Sequence, residues 1–182
     1  MSNATDLAFM AIEIDAHSDI YRSVTSMLII HFYKEGAMAA KSMEAALQEV
    51  IDREEIRTLP VRYCDTVWQK DLDGYVHLFT EDGSISTSDS SLPATTGREN
   101  LRKMISTGLD EMKPRPFIHN HVVELLGPDR AKGRCYIEVK LVRNGKKHAM
   151  AGWYNDEYAK VNGEWKFKSR HIMIDSAGPV NE

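Results

Sequence analysis

From Pro116 onward the chain alternates stretches of β-branched, aromatic and charged residues with short turn-forming clusters: GPD at 127–129, RNGK at 143–146 and VNGE at 161–164. Asn-Gly at 144–145 and again at 162–163 provides two successive residues that tolerate positive φ, as a two-residue hairpin requires. The pattern predicts four strands, 117–126, 131–143, 147–160 and 164–174, joined as an antiparallel meander. A meander of this length has to bury one of its faces, and the only helical periodicity lies upstream of it.

Apolar residues recur at three- and four-residue steps over 19–34 and 38–50, divided by Gly36. Asp52 with Glu55 has capping-box form and opens a helix to about Lys70, with Pro60 inside it as a kink. At 100° per residue Ile56, Leu59, Pro60, Tyr63 and Val67 share one face of this helix, and Asp65 points the other way. Asp71 can cap a short helix over LDGYVHLF, and 99–112 reads as a helix with Leu101, Met104, Ile105 and Leu109 inward. Between them, a turn-rich segment carries a short strand near 84–87 and then a mobile loop to Thr96 that suits a lid. The class that follows is α+β: a cone-like curved antiparallel sheet packed against amino-terminal helices and enclosing a pocket. The expected division is a helical arm over 1–50, a domain over 51–176 and a tail over 177–182.

Lys and Arg number 23 against 27 Asp and Glu, a net charge of −4 without like-charge blocks, so no nucleic-acid surface is expected. MLII at 27–30 is followed at once by polar residues, so no membrane span is expected, and acids near the amino terminus disfavour a signal peptide. A cytoplasmic protein is the expectation. Cys64 and Cys135 lack metal or redox spacing and read as small core residues. No glycine-rich phosphate loop is present, and no cofactor is expected.

In the predicted strand IHNHVVEL, alternation places His119 and His121 on one face. Two imidazoles so placed are half of a metal site, but the nearest carboxylate, Glu124, has the opposite parity, so no metal is expected. Met150, Gly152 and Tyr154 share a face and are expected to line the pocket; Trp153 faces away. Either Arg170 or His171 reaches the cavity mouth, and parity alone does not choose between them.

RYCDTVWQKDLDGYVHLFTEDGSI, the later GREN, the strand around IHNHVVEL, and AGWYNDEYAKVNGEWKFKSR together resemble the nuclear transport factor 2-like superfamily, most closely its SnoaL-like branch. The resemblance covers roughly 50–175 and leaves the arm unexplained. Scytalone dehydratase, bile acid dehydratase and hexachlorocyclohexane dehydrochlorinase share the most pattern. The resemblance implies His119 as the base and Tyr63 as a hydrogen-bond donor to a substrate oxygen. The relatives' pocket aspartates fall at Trp68 and Val139, and the two aspartates of ketosteroid isomerase at Thr87 and Ala151, which disfavours that mechanism.

The expected function is a lyase or isomerase of dehydratase-like type for an apolar or aromatic substrate, with His119 and Tyr63 catalytic. Trp68, His121, Val139, Met150, Tyr154 and Met104 would contact substrate. The alternatives are a non-catalytic binder of hydrophobic ligands and a partner chain resembling the β-subunits of ring-hydroxylating oxygenases. A homodimer is expected in the first two cases.

Overall fold

The computed structural model describes residues 19–89 and 91–180, with side chains from residue 25 onward except at position 39. The expected absence of a signal peptide and the last residues of the tail lie outside the described residues. By internal contacts the chain separates into Met1–Gln48 and Glu49–Glu182. Among the described residues no helix is long and apolar enough to cross a membrane.

One helix, α1, runs Asp19–Gln69, so the expected breaks at Gly36 and before Asp52 do not occur. Gly36 weakens a helix without stopping it, since a stop also needs a left-handed cap, and its φ is not positive. Asp52 is no cap. It is buried inside the helix, where its Oδ1 accepts hydrogen bonds from Lys160 Nζ at 2.6 Å and Trp165 Nε1 at 3.0 Å. That clasp ties the helix to the final hairpin. Pro60 is fully buried within α1, which continues past it. Lys70 with φ of 58° ends α1, and Asp71 caps α2 (Leu72–His77) by accepting from Gly74 N.

The sheet contains β1 (Phe79–Thr87), β2 (Thr95–Thr96), β3 (Arg115–Leu125), β4 (Arg130–Arg143), β5 (Lys146–Val161) and β6 (Glu164–Pro179), with α3 (Arg98–Glu111) between β2 and β3. Strand order is β2-β1-β6-β5-β4-β3, an open sheet. The two Asn-Gly turns fall between β4 and β5 and between β5 and β6, with both residues of each at positive φ. The meander is antiparallel as expected, but β1 pairs parallel to β6. Residues 80–83 of β1 stand opposite Lys168 alone, so the strand bows outward there. Shifts in register also interrupt β3 against β4 and β5 against β6, and such bulges bend a sheet.

Ile56, Leu59, Tyr63 and Val67 of α1 bury against the sheet, as do Leu101, Ile105 and Leu109 of α3, while Asp65 is exposed. The helical periodicity upstream thus ends on the inner face of the meander, and α+β is the fold class observed.

Candidate functional site

In β3, Ile118 faces Ile137 across the pair, but the next residue in register is His121, opposite Cys135. His119 and Asn120 therefore stand against Tyr136 alone, which is a bulge, and side-chain parity reverses across it. His121 turns inward with Cys135, whereas His119 lies on the outer face with its side chain 54 % exposed and its Nε2 4.0 Å from Glu138 Oε2. The shared face expected for the two histidines does not form, because it assumed unbroken alternation.

Inward of the bulge lies a connected polar group. Tyr154, Asp156 and Tyr158 alternate onto the inner face of β5, and Asp156 pairs in register with Arg170 of β6. Arg170 donates from Nε to Asp156 Oδ1 at 2.9 Å and from Nη2 to Oδ2 at 2.7 Å, and both side chains are fully buried. The guanidinium carbon sits 3.9 Å from the ring centre of Tyr154, 4.0 Å from Phe167 and 4.4 Å from Tyr63, a cation held among aromatic faces. Burial is the largest influence and works against that charge, but the Asp156 charge and hydrogen bonds, joined by Tyr154 and Tyr63, together raise the Arg170 pKa further.

Asp156 pairs both carboxylate oxygens with the Arg170 guanidinium and accepts hydrogen bonds there. The Tyr158 hydroxyl accordingly donates to Asp156 Oδ2 at 3.0 Å, and burial followed by the Asp156 charge pushes the phenol pKa well up, so it keeps its proton. With that proton committed, Tyr158 Oη accepts from His121 Nε2, 3.0 Å away. The neutral imidazole then carries its proton on Nε2. Nδ1 is buried without a hydrogen-bond partner, as is Nη1 of Arg170. Burial lowers the His121 pKa and the charges of Arg170 and Arg57 act in the same direction, while the Asp156 charge and a backbone contact with Arg57 oppose them. Gly133 makes this arrangement fit: a Cβ there would lie 3.0 Å from His121 Nε2 and 2.8 Å from Val122 O.

Of the remaining anticipated site residues, Tyr63 and Tyr154 meet the group through the Arg170 guanidinium, and the others lie elsewhere. Tyr63 is in the aromatic core, where its hydroxyl accepts from Tyr75 at 3.3 Å. Val139 and Tyr154 are buried core residues, and Met104 and Met150 pack half-buried against the same core. Trp68 does not wall this core: it is 41 % exposed, donates to Pro116 O at 2.9 Å and meets Phe117 edge-on. Of the pair at the end of the meander, Arg170 goes inward and His171 goes outward to Ser86 Oγ at 2.8 Å. Arg170 and the YNDEY alternation that carries Asp156 and Tyr158 were visible signals; the bulge that brings His121 to them was not.

The ring of Tyr158 also lines a cleft of about 510 Å³. Leu126, Ala131, Ala159 and Val161 make its apolar surface, and its charged lining is mixed, Arg130, Lys132 and Lys168 with Glu81, Asp82 and Glu157. Of the relay, Tyr158 lines this cleft, whereas His121, Asp156 and Arg170 do not. Among the described residues no three His, Cys, Asp or Glu side chains are placed to hold a metal ion.

No curated protein matches the chain. Among solved structures, a protein of unknown function from Mycobacterium tuberculosis is 27 % identical, with a TM-score of 0.63 over 70 % of this chain and 73 % of its own. A putative scytalone dehydratase from Novosphingobium aromaticivorans, 18 % identical, has a TM-score of 0.66 over 74 % of this chain and 91 % of its own. A hexachlorocyclohexane dehydrochlorinase from Novosphingobium barchaimii, 17 % identical, has a TM-score of 0.67 over 74 % and 93 %. The last two are similar in fold alone. Residues 48–171, which hold the bulged strand, the buried relay and the helices covering them, match the model of the SnoaL-like domain, and the chain belongs to that family.

Proposed function

We propose that this protein is a small-molecule lyase or isomerase of dehydratase-like type, in which His121 moves the proton. The observation that carries the reading is an inward imidazole whose Nε2 is held by Tyr158 and whose buried Nδ1 makes no side-chain hydrogen bond. Asp156, fixed by Arg170, orients Tyr158, and Tyr158 in turn fixes the tautomer of His121. As the imidazole takes up a proton, the Asp156 charge, acting through the hydroxyl, stabilises the imidazolium. The apolar cleft over Tyr158 suits an apolar or aromatic substrate carrying a carbonyl or hydroxyl group. The assembly in this reading is a homodimer, which the exposed apolar side chains on helix and sheet support.

The test is a panel of apolar ketones and alcohols assayed for dehydration, isomerisation and exchange of carbon-bound hydrogen with deuterated solvent. His121→Gln should lower turnover by about 10²- to 10⁴-fold. His119→Ala should leave it unchanged. Turnover within twofold of wild type in His121→Gln would sink the reading.

A second reading, a binder of apolar ligands without catalysis, is favoured by an apolar cleft that Tyr158 lines and His121 does not. It predicts ligand-induced thermal stabilisation with no turnover in any variant.

A further inference from the structure

Every described side chain from Thr25 to Gln48 of α1 is exposed. This half of the helix is nevertheless patterned. At 100° per residue Leu28, Ile29, Phe32, Tyr33, Met43 and Leu47 fall within an arc of about 140°, and Gly36 and Ala40 lie in the same arc. No charged residue enters it: Lys34 and Lys41 lie on the opposite side, and Glu35 and Glu44 lie just outside its two edges. Ile29, Tyr33, Gly36, Ala40, Met43 and Leu47 follow steps of four and three, the spacing of a coiled-coil seam. A stripe this wide and clean of charge is built to be covered.

We infer that the occupant is the same helix of a second copy of this chain, lying antiparallel with the two-fold axis beside Ala40. In that register large residues meet small or complementary ones. Met43 of one copy covers Gly36 of the other, Phe32 meets Leu47, and Ala40 lets the two backbones come close at the centre. Glu44 at the edge falls beside Tyr33 of the partner, within reach of its hydroxyl, and no two like charges are brought face to face. The area is sufficient. The six large apolar side chains are 52–81 % exposed. At about 200 Å² for a large side chain, they offer on the order of 800 Å², which is about what each partner buries in a stable interface. A bilayer surface is a poorer occupant, because the polar side of the helix carries acids and bases together instead of the basic face that anionic lipid attracts. The inference stands apart from the proton-transfer reading and survives if that reading fails.

Disulfide trapping and light scattering on the full chain test it. Cys64 and Cys135 are buried and leave the background low. Ala40→Cys should form a covalent dimer under mild oxidation. Leu47→Cys alone should not, but should cross-link to Phe32→Cys when the two proteins are mixed. Met43→Glu with Leu47→Glu should halve the solution mass while circular dichroism keeps its strand signal. If every single-cysteine variant traps equally, the helices run parallel and the arrangement is overturned. If Ala40→Cys does not trap and the glutamate variant keeps the wild-type mass, the stripe has a different occupant.

Discussion

Asp52 and Asp156 are both buried carboxylates clasped by a cation from the sheet, at 5 % and 2 % exposure, but their surroundings differ. Asp52 receives Lys160 and Trp165 at the rim of the domain, where the lysine is still 19 % exposed. Asp156 receives Arg170 at the centre, with no solvent on either partner, and its group ends in two unfilled positions, His121 Nδ1 and Arg170 Nη1. A buried polar atom without a partner costs about 1–3 kcal/mol, so the group at Asp156 carries a cost beyond that of a simple clasp. The difference separates a fastening from a site. It also locates the site between the bulge and the aromatic core around Tyr63, on whose ring Arg170 rests.

The contrast breaks most visibly at Arg170. Arg170→Met leaves Asp156 buried without its counter-charge and should cost about 3–5 kcal/mol in chemical denaturation. Adding Asp156→Leu should restore much of that loss, since removing both charges ends the desolvation penalty. If the double variant is no more stable than the single one, packing rather than charge explains Arg170.

At the rim, Asp52→Ala should cost about 1.5–3 kcal/mol, less than Arg170→Met, because Lys160 can turn to water once the carboxylate is gone. Equal losses for Asp52→Ala and Arg170→Met would erase the distinction drawn between the two clasps.

His121 carries a pH signature. Burial depresses its pKa in the folded state, so as pH falls the unfolded chain takes up a proton before the folded one does. The full contribution is present above the unfolded value of about 6.5 and is lost as pH drops toward the lower folded value. Denaturation midpoints should decline through that window in wild type and decline less in His121→Gln. An unchanged slope in the variant would remove His121 from the buried group. The smallest effect should come from His119→Ala, within about 0.5 kcal/mol and with the wild-type pH slope, since the ring is mostly in solvent.

The two histidines also show where local patterning stops being informative. Asn-Gly pairs announced the hairpins because positive φ at both positions is a local demand. The inward faces of α1 and α3 followed from spacing, because burial selects every third or fourth residue. Over-division of α1 came from reading Gly36 and Asp52 as local stop and start signals. Asp52 instead serves a contact more than a hundred residues away in sequence.

By itself the sequence determined the α+β class, the meander and its turns, the buried faces of the helices and the positions that could carry chemistry, all of which depend on interactions within a few residues. Tertiary structure alone decided which histidine is inside. A bulge between Ile118 and His121 inserts one unpaired residue against β4, and nothing in that short run has to adopt an unusual backbone. Its energetic reason lies in other strands, where Gly133 leaves room for the ring and Tyr158, Asp156 and Arg170 offer it a hydrogen-bonded place.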